Sequence, residues 1–219
     1  MRCFLPILIL STTLLVTSCG RAEPTPVAVP ATPDITGRIV ALGDSLTEGM
    51  GVDLAEAYPA QLERRLQDAG YGYEVINAGV SGETSSGARS RLSWVLTLEP
   101  DIVILMTGAN DGLRGIDPAV TGQNIDAIVT ELEQQGIDVV LIGMEMIQNM
   151  GDVYTSAFRA IYPTIAEDHD IIFVPSLFET FIQAGPELLQ PDGTHPTAEG
   201  YTIFVDVFYP YIIEAAEKS

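Results

Sequence analysis

Cysteine is almost missing from this chain. Its 219 residues include two, Cys3 and Cys19, both at the N-terminus. The rest therefore has no disulfide, no thiolate metal site and no cysteine nucleophile. Histidine is equally scarce, with only His169 and His195, so chemistry that needs an imidazole base has two residues to draw on. Basic residues are few: Lys and Arg total 10 against 30 Asp and Glu, for a formal charge of −20, and Lys218 is the single lysine. Such a field repels polyphosphates, which argues against nucleic acid as a partner, and it disfavours broad contact with anionic headgroups. A surface adapted to solubility or salt accounts for it. No Walker sequence, no G-x-G-x-x-G and no G-x-S-x-G is present, and no internal repeat.

What is present begins with an export signal. Met1-Arg2 supplies a positive start, and Cys3 to Thr17 is mostly apolar. At about fifteen residues that run is short for a membrane span. It ends in Val16-Thr17-Ser18-Cys19, which resembles a bacterial lipobox, where the cysteine is lipidated and becomes the new N-terminus. Removing residues 1–18 takes Arg2 away and leaves 9 basic against 30 acidic residues, or −21. Gly20 to Gly37 holds four prolines and reads as a semi-rigid tether. The expected plan is a signal peptide over 1–18, a lipidated Cys19 and tether over 19–36, and one domain over 37–219. The product is expected to be exported and held at a membrane through Cys19, in the periplasm or on the cell surface.

Within the domain, short apolar runs alternate with helical patterns. The strand-like runs are Ile39–Leu42, Tyr73–Ile76, Ile102–Met106, Val139–Ile142 and Ile171–Val174. Helices are expected near Tyr58–Ala69, Arg89–Leu98, Pro118–Gln135, Tyr154–Glu167 and Thr197–Glu217. The third is well signed: Asp117 can cap it, Pro118 suits its first turn, and Gly136 ends it. Pro163 should kink the fourth. Continuous apolar strands separated by helices imply an α/β fold, a parallel sheet of about five strands inside a three-layer α/β/α sandwich, flavodoxin-like in plan. In such a sheet the ligand site lies at the carboxyl ends of the strands.

Those ends carry a coherent set of residues. Gly43-Asp44-Ser45-Leu46-Thr47 follows the first strand, Asn77 to Thr84 the second and Thr107 to Gly112 the third; Pro191-Asp192-Gly193-Thr194-His195-Pro196 precedes the last helix. Acyl transfer needs such an inventory: a nucleophile, a base with its orienting group, and oxyanion donors. A serine nucleophile must use one of the two histidines. His169 lies at the start of the fifth strand, away from the site, and is expected to be solvated among carboxylates. His195 follows Asp192 by three residues, so one loop can project both, with the carboxylate on Nδ1–H and Nε2 facing the serine. Locally Asp44 and Ser45 also fit a helix cap, and Asp192–Pro196 also fits a polar turn.

Together, Gly43-Asp44-Ser45-Leu46, Gly82, Gly108-Ala109-Asn110-Asp111 and Asp192-Gly193-Thr194-His195-Pro196 resemble the four blocks of the GDSL/SGNH hydrolases, in order, from about Arg38 onward. Ile76 to Ser85 and Gly108 to Gly115 are similar to the thioesterase I, arylesterase and lysophospholipase branch. The resemblance implies Ser45 as nucleophile, His195 as general base and then acid, and Asp192 as its orienter. It implies an oxyanion hole from the backbone N–H groups of Ser45 and Gly82 and the side-chain amide of Asn110. Gly79 competes with Gly82; Gly82 is preferred because it precedes an acidic-Thr-Ser stretch as the family's glycine does. Asp44 would brace the nucleophile turn. No cofactor and no metal is implied.

For substrate, the resemblance points to a small-molecule ester or thioester with a short to medium acyl, aryl or lysophospholipid group; carbohydrate O-deacetylation stays open. Met144, Met146 and Ile147 in the loop after the fourth strand, with Leu113, could line an acyl or aryl pocket, and core packing is the competing reading for the methionines. Gly112–Pro118 looks like a loop that closes over acyl chains in this branch. Two rivals remain at this point: a flavodoxin-like lipoprotein holding a phosphate at Ser45, Thr47, Gly49 and Gly51, and a catalytically silent envelope lipoprotein. The sequence leaves the oligomeric state open.

Overall fold

The fold is taken from a computed structural model, which describes residues 34–145, 150–176 and 185–218. Five parallel strands form one sheet in the order β2-β1-β3-β4-β5: β1 (Gly37–Gly43), β2 (Tyr73–Gly79), β3 (Ile102–Met106), β4 (Asp138–Ile142) and β5 (Ile172–Val174). Strands β1 and β3 are buried along their apolar runs because each has a neighbour on both sides and helices over both faces.

Side chains alternate between two cores. Ile39 and Ala41 of β1 point into one, against Tyr58, Leu62 and Leu66 of α2 (Tyr58–Asp68) and Tyr201, Phe204, Phe208 and Ile212 of the last helix, α8 (Ala198–Ala216). Val40 and Leu42 point into the other. There they meet Ala88 of α3 (Ser85–Ser90), Leu92 and Val95 of α4 (Leu92–Leu96), Ile125 and Leu132 of α6 (Pro118–Gln134), and Phe158 and Tyr162 of α7 (Asp152–His169). Each such fully buried large side chain contributes about 1.5–3 kcal/mol relative to exposure. The three-layer α/β/α expectation therefore holds.

The register fixes where the site forms. Gly43 pairs with Gly79 on one side and with Met106 on the other. The chain thus leaves β1, β2 and β3 at one level, and three loops emerge side by side. The first becomes α1 (Ser45–Glu48) and the third becomes α5 (Ala109–Leu113).

Three local expectations are corrected. β2 runs three residues further, to Gly79. The single helix expected over Arg89–Leu98 is two short helices, α3 and α4, divided at Arg91, where φ is −107° and ψ is 10°. The cause is that Arg91 turns inward: Nη2 donates to the carbonyls of Gly43 (3.3 Å) and Ala78 (2.7 Å), and the guanidinium pairs with Glu83. His169 ends α7 and is not solvated. It sits between Glu133 (2.6 Å) and Asp126 (3.1 Å) of α6 with a side chain 15% exposed. The signals around α6 hold as expected: Asp117 accepts from the Ala119 N–H, and Gly136 has φ +74°. Pro163 lies within α7, which continues through it to His169.

Candidate active site

Asp44 is a helix cap and Ser45 is presented by the helix it caps, so the two local readings of this turn coexist. The Asp44 carboxylate accepts the Leu46 N–H at 3.1 Å, and the four-residue α1 ends on Gly49 in the left-handed region. Gly43 has no room for a side chain, because a Cβ would meet Thr47 and the Met106 carbonyl. The strand can therefore turn into α1 directly beside β3.

Ser45 Oγ lies 2.8 Å from His195 Nε2, and His195 Nδ1 lies 2.7 Å from Asp192 Oδ2. The other Asp192 oxygen accepts the N–H groups of Thr194 (2.9 Å) and His195 (3.0 Å). Those backbone bonds, first His195 and then Thr194, joined by the imidazole, hold the Asp192 carboxyl down to about 2, so it stays charged. The loop is closed at its base by an antiparallel bridge between Leu189 and Pro196. Gln190 supplies the brace: its N–H donates to the His195 carbonyl (2.7 Å), and its side-chain amide donates to the carbonyls of Pro196 (2.8 Å) and Met50 (2.7 Å). The Met50 bond ties the histidine loop to the chain just beyond α1. Gln190 carries no motif signal, and sequence reasoning missed it.

Asn110 is the second residue of α5, which follows Gly108; that glycine has φ +106° and packs so tightly on Tyr162 that a Cβ would not fit. The Asn110 amide donates to Asp44 Oδ2 at 3.2 Å. Asp44 is 1% exposed, and burial pushes its carboxyl up to about 6 against the pull of the Leu46 N–H, the His195 charge and Asn110. Gly82 has φ +76°, and its carbonyl accepts from Arg114 Nη2 at 2.7 Å.

Gly79 is a glycine for a different reason: a Cβ there would run into the backbone of Glu48. Its N–H is already given to Asn77 Oδ1 at 2.9 Å. Among the described residues, no acceptor takes the N–H of Ser45 or of Gly82. The loop carrying Gly82 is tied to α1 through Glu48, whose carboxylate accepts both the N–H and the hydroxyl of Ser81.

The structure brings Ser45, His195 and Asp192 together and leaves His169 with the α6 carboxylates. There, burial lowers the His169 imidazole, but its hydrogen bonds to Glu133 and Asp126 outweigh that and raise it. Met144 is half-buried and packs against both cores. It also lines a cavity of about 190 Å³ with Arg159, Tyr162 and Phe173, which includes no residue of the serine–histidine pair. Leu113 is 66% exposed at the end of α5. Within 112–118, the Ile116 carbonyl accepts from the Tyr154 hydroxyl at 2.7 Å. Met146 and Ile147 lie outside the described residues, as do Cys19 and the segment before residue 34.

Chemically, the arrangement offers a hydroxyl hydrogen-bonded to an imidazole nitrogen, a charged carboxylate behind that imidazole, and, among the described residues, N–H donors at Ser45 and Gly82 that no acceptor takes. Residues 41–203 match the model of the GDSL-like Lipase/Acylhydrolase family. The esterase TesA of Pseudomonas aeruginosa is 34% identical over 173 residues, which cover 78% of this chain and 86% of that protein. The thioesterase 1/protease 1/lysophospholipase L1 of Escherichia coli K12 is 32% identical over 169 residues, covering 77% of this chain and 79% of that one. Among solved structures, AlinE4, an SGNH-hydrolase family esterase, superposes with a TM-score of 0.68 at 39% identity, over 82% of this chain and 96% of its own. With the fold, the strand-end blocks and these relatives in agreement, the chain belongs to the GDSL-like lipase/acylhydrolase family and is a serine ester hydrolase.

Proposed function

We propose that this hydrolase cleaves carboxylic esters or thioesters with short to medium acyl, aryl or lysophospholipid groups through an acyl-enzyme on Ser45. Ser45 Oγ attacks the ester carbonyl carbon while its proton passes to His195 Nε2. Asp192 keeps the imidazole in the required tautomer and stabilises the imidazolium. The carbonyl oxygen becomes an oxyanion that accepts from the N–H groups of Ser45 and Gly82 and from the Asn110 amide. Collapse breaks the bond to the leaving oxygen or sulfur, which takes the proton from His195. Water then attacks the acyl-serine, giving its proton to His195, and the carboxylic acid leaves as Ser45 recovers its hydrogen.

The observation that carries this reading is the unbroken relay of 2.8 and 2.7 Å from Ser45 through His195 to Asp192. Among the described residues, no acceptor takes the N–H groups of Ser45 and Gly82, which supports the oxyanion roles. The substrate range is supported by relatives named esterase and thioesterase/lysophospholipase. The test is hydrolysis of p-nitrophenyl acetate and butyrate by the domain. Wild type is expected to turn over, and Ser45→Ala and His195→Ala are each expected to lose about 10³-fold or more in kcat. An inactive wild type, or a Ser45→Ala variant with most of its rate, sinks the proposal. The N-terminal sequence supports an exported protein anchored at the membrane through a lipidated Cys19.

A further inference from the structure

We propose that Asp111 is a positioning residue which, with Ser85, sets the spacing between the two oxyanion donors that come from different strands, Gly82 and Asn110. The inference rests on the oxyanion roles given above.

Asp111 follows Asn110 in α5 and is 1% exposed. Its carboxyl group faces Ser85, the first residue of α3 and three residues after Gly82. One oxygen accepts the Ser85 N–H at 2.7 Å; the other accepts the Ser85 hydroxyl at 2.5 Å and the Thr121 hydroxyl at 3.2 Å. Ser85 is fully buried, and its hydroxyl also accepts from Asn124 Nδ2 at 3.1 Å. Asn124 in turn accepts from Arg89 at 3.2 Å. None of these groups takes part in the acyl transfer described above.

Stability alone does not call for such a network. The layer it crosses already contains Ala88, Leu92, Ile125 and Ile128, and apolar residues of similar volume join helices at least as well as a buried carboxylate does. A two-oxygen clamp adds a fixed length and direction, which apolar contacts lack. That geometry is placed where catalysis is sensitive to it. Asp111 is one residue from the Asn110 amide, and Ser85 is linked to Gly82 through a short loop stiffened by the Glu83 N–H to Val80 carbonyl bond (3.1 Å) and the Thr84 cap.

α5 also grips the same loop a second time, through Arg114 at its C-cap and the Gly82 carbonyl. The helix that carries one donor thus holds the loop that carries the other at two points. A misplacement on the order of 1 Å in such a constellation costs about 10²-fold in rate.

The test is hydrolysis of p-nitrophenyl butyrate by Asp111→Asn, Asn110→Ala and the double variant. Asp111→Asn keeps the volume and one strong acceptor; its kcat is expected to fall about tenfold to a hundredfold with KM within about twofold. In the Asn110→Ala background the same substitution is expected to cost less than about threefold, because the donor it positions is gone. Independent losses that multiply in the double variant, or a wild-type kcat in Asp111→Asn, overturn the proposal. Ser85→Ala, which deletes one hydroxyl, is measured in the same cycle and answers the question if Asp111→Asn does not fold. A wild-type kcat in Asn110→Ala would instead remove the oxyanion reading and this inference with it. A loss of about 10²–10³ there beside a neutral Asp111→Asn removes the positioning role alone.

Discussion

Asp44 is the residue on which the nucleophile turn, the Asn110 amide and the field of His195 converge. Its carboxyl is raised from 3.8 to about 6, chiefly by burial, so between those values the folded state binds a proton that the unfolded state has released. The contribution of Asp44 to stability then falls as pH rises from about 4 to about 6 and levels off above, by about 3 kcal/mol at 1.36 kcal/mol per unit. Asp44→Asn removes this contribution. The difference in unfolding free energy between wild type and variant should shift by about that amount between pH 4 and pH 7, measured by urea denaturation; a constant difference would contradict the assignment. At this scale the sequence was legible where scarcity did the sorting. One of two histidines lies three residues after an Asp, and His195 meets Ser45 as expected. Gln190 carried no signal, and the inward contacts of Asp111 and Ser85, though both lie in stretches that resemble the family, were opaque because the partners lie 140 and 26 residues away and nothing in the local sequence marks a polar side chain as one that folds inward.

Strands and helices were legible to the extent that their apolar runs were long. All five strands are where the runs place them, since a strand buried on both faces has few polar residues to confuse the pattern. The break between α3 and α4 was not. Leu92, Val95 and Leu96 fit one helical face well, and the reason for the break is Arg91, whose acceptors belong to β1 and β2. Its partner Glu83 has a side chain only 8% exposed, and Arg91 is 17% exposed. Arg91→Met therefore leaves a buried carboxylate unpaired and should cost about 3–5 kcal/mol, seen as a lowered thermal midpoint. Because Glu83 adjoins Gly82 and Gly43 adjoins the nucleophile turn, the same variant should lose kcat at temperatures where it remains folded. A full kcat with an unchanged midpoint would show the pair to be idle.

At the scale of the whole molecule, the proposed anchor and the net charge would work against each other. A chain with 30 acidic and 10 basic residues is repelled by anionic headgroups. Acyl chains on Cys19 would overcome that repulsion, since each buried CH₂ contributes about 0.8 kcal/mol and the repulsion is screened beyond roughly 8 Å at physiological salt. Cys19→Ala should then move the protein from the membrane pellet to the soluble fraction, read by fractionation and immunoblot, with hydrolytic activity per molecule unchanged. Retention in the pellet would argue against lipidation.

The proposed nucleophile and its base are 150 residues apart, and the base stands in the last loop before the final helix. A nascent chain, or one cut short before residue 195, carries Ser45 and the loops that supply its donors but has nothing to take the serine's proton. On the proposed roles, turnover requires the segment that carries His195 to have folded against the Ser45 turn. Recovery of esterase activity after dilution from denaturant is consequently a clock for the closure that brings residue 195 to residue 45. It should lag behind the return of helical signal, which α6 and α7 can restore from local contacts.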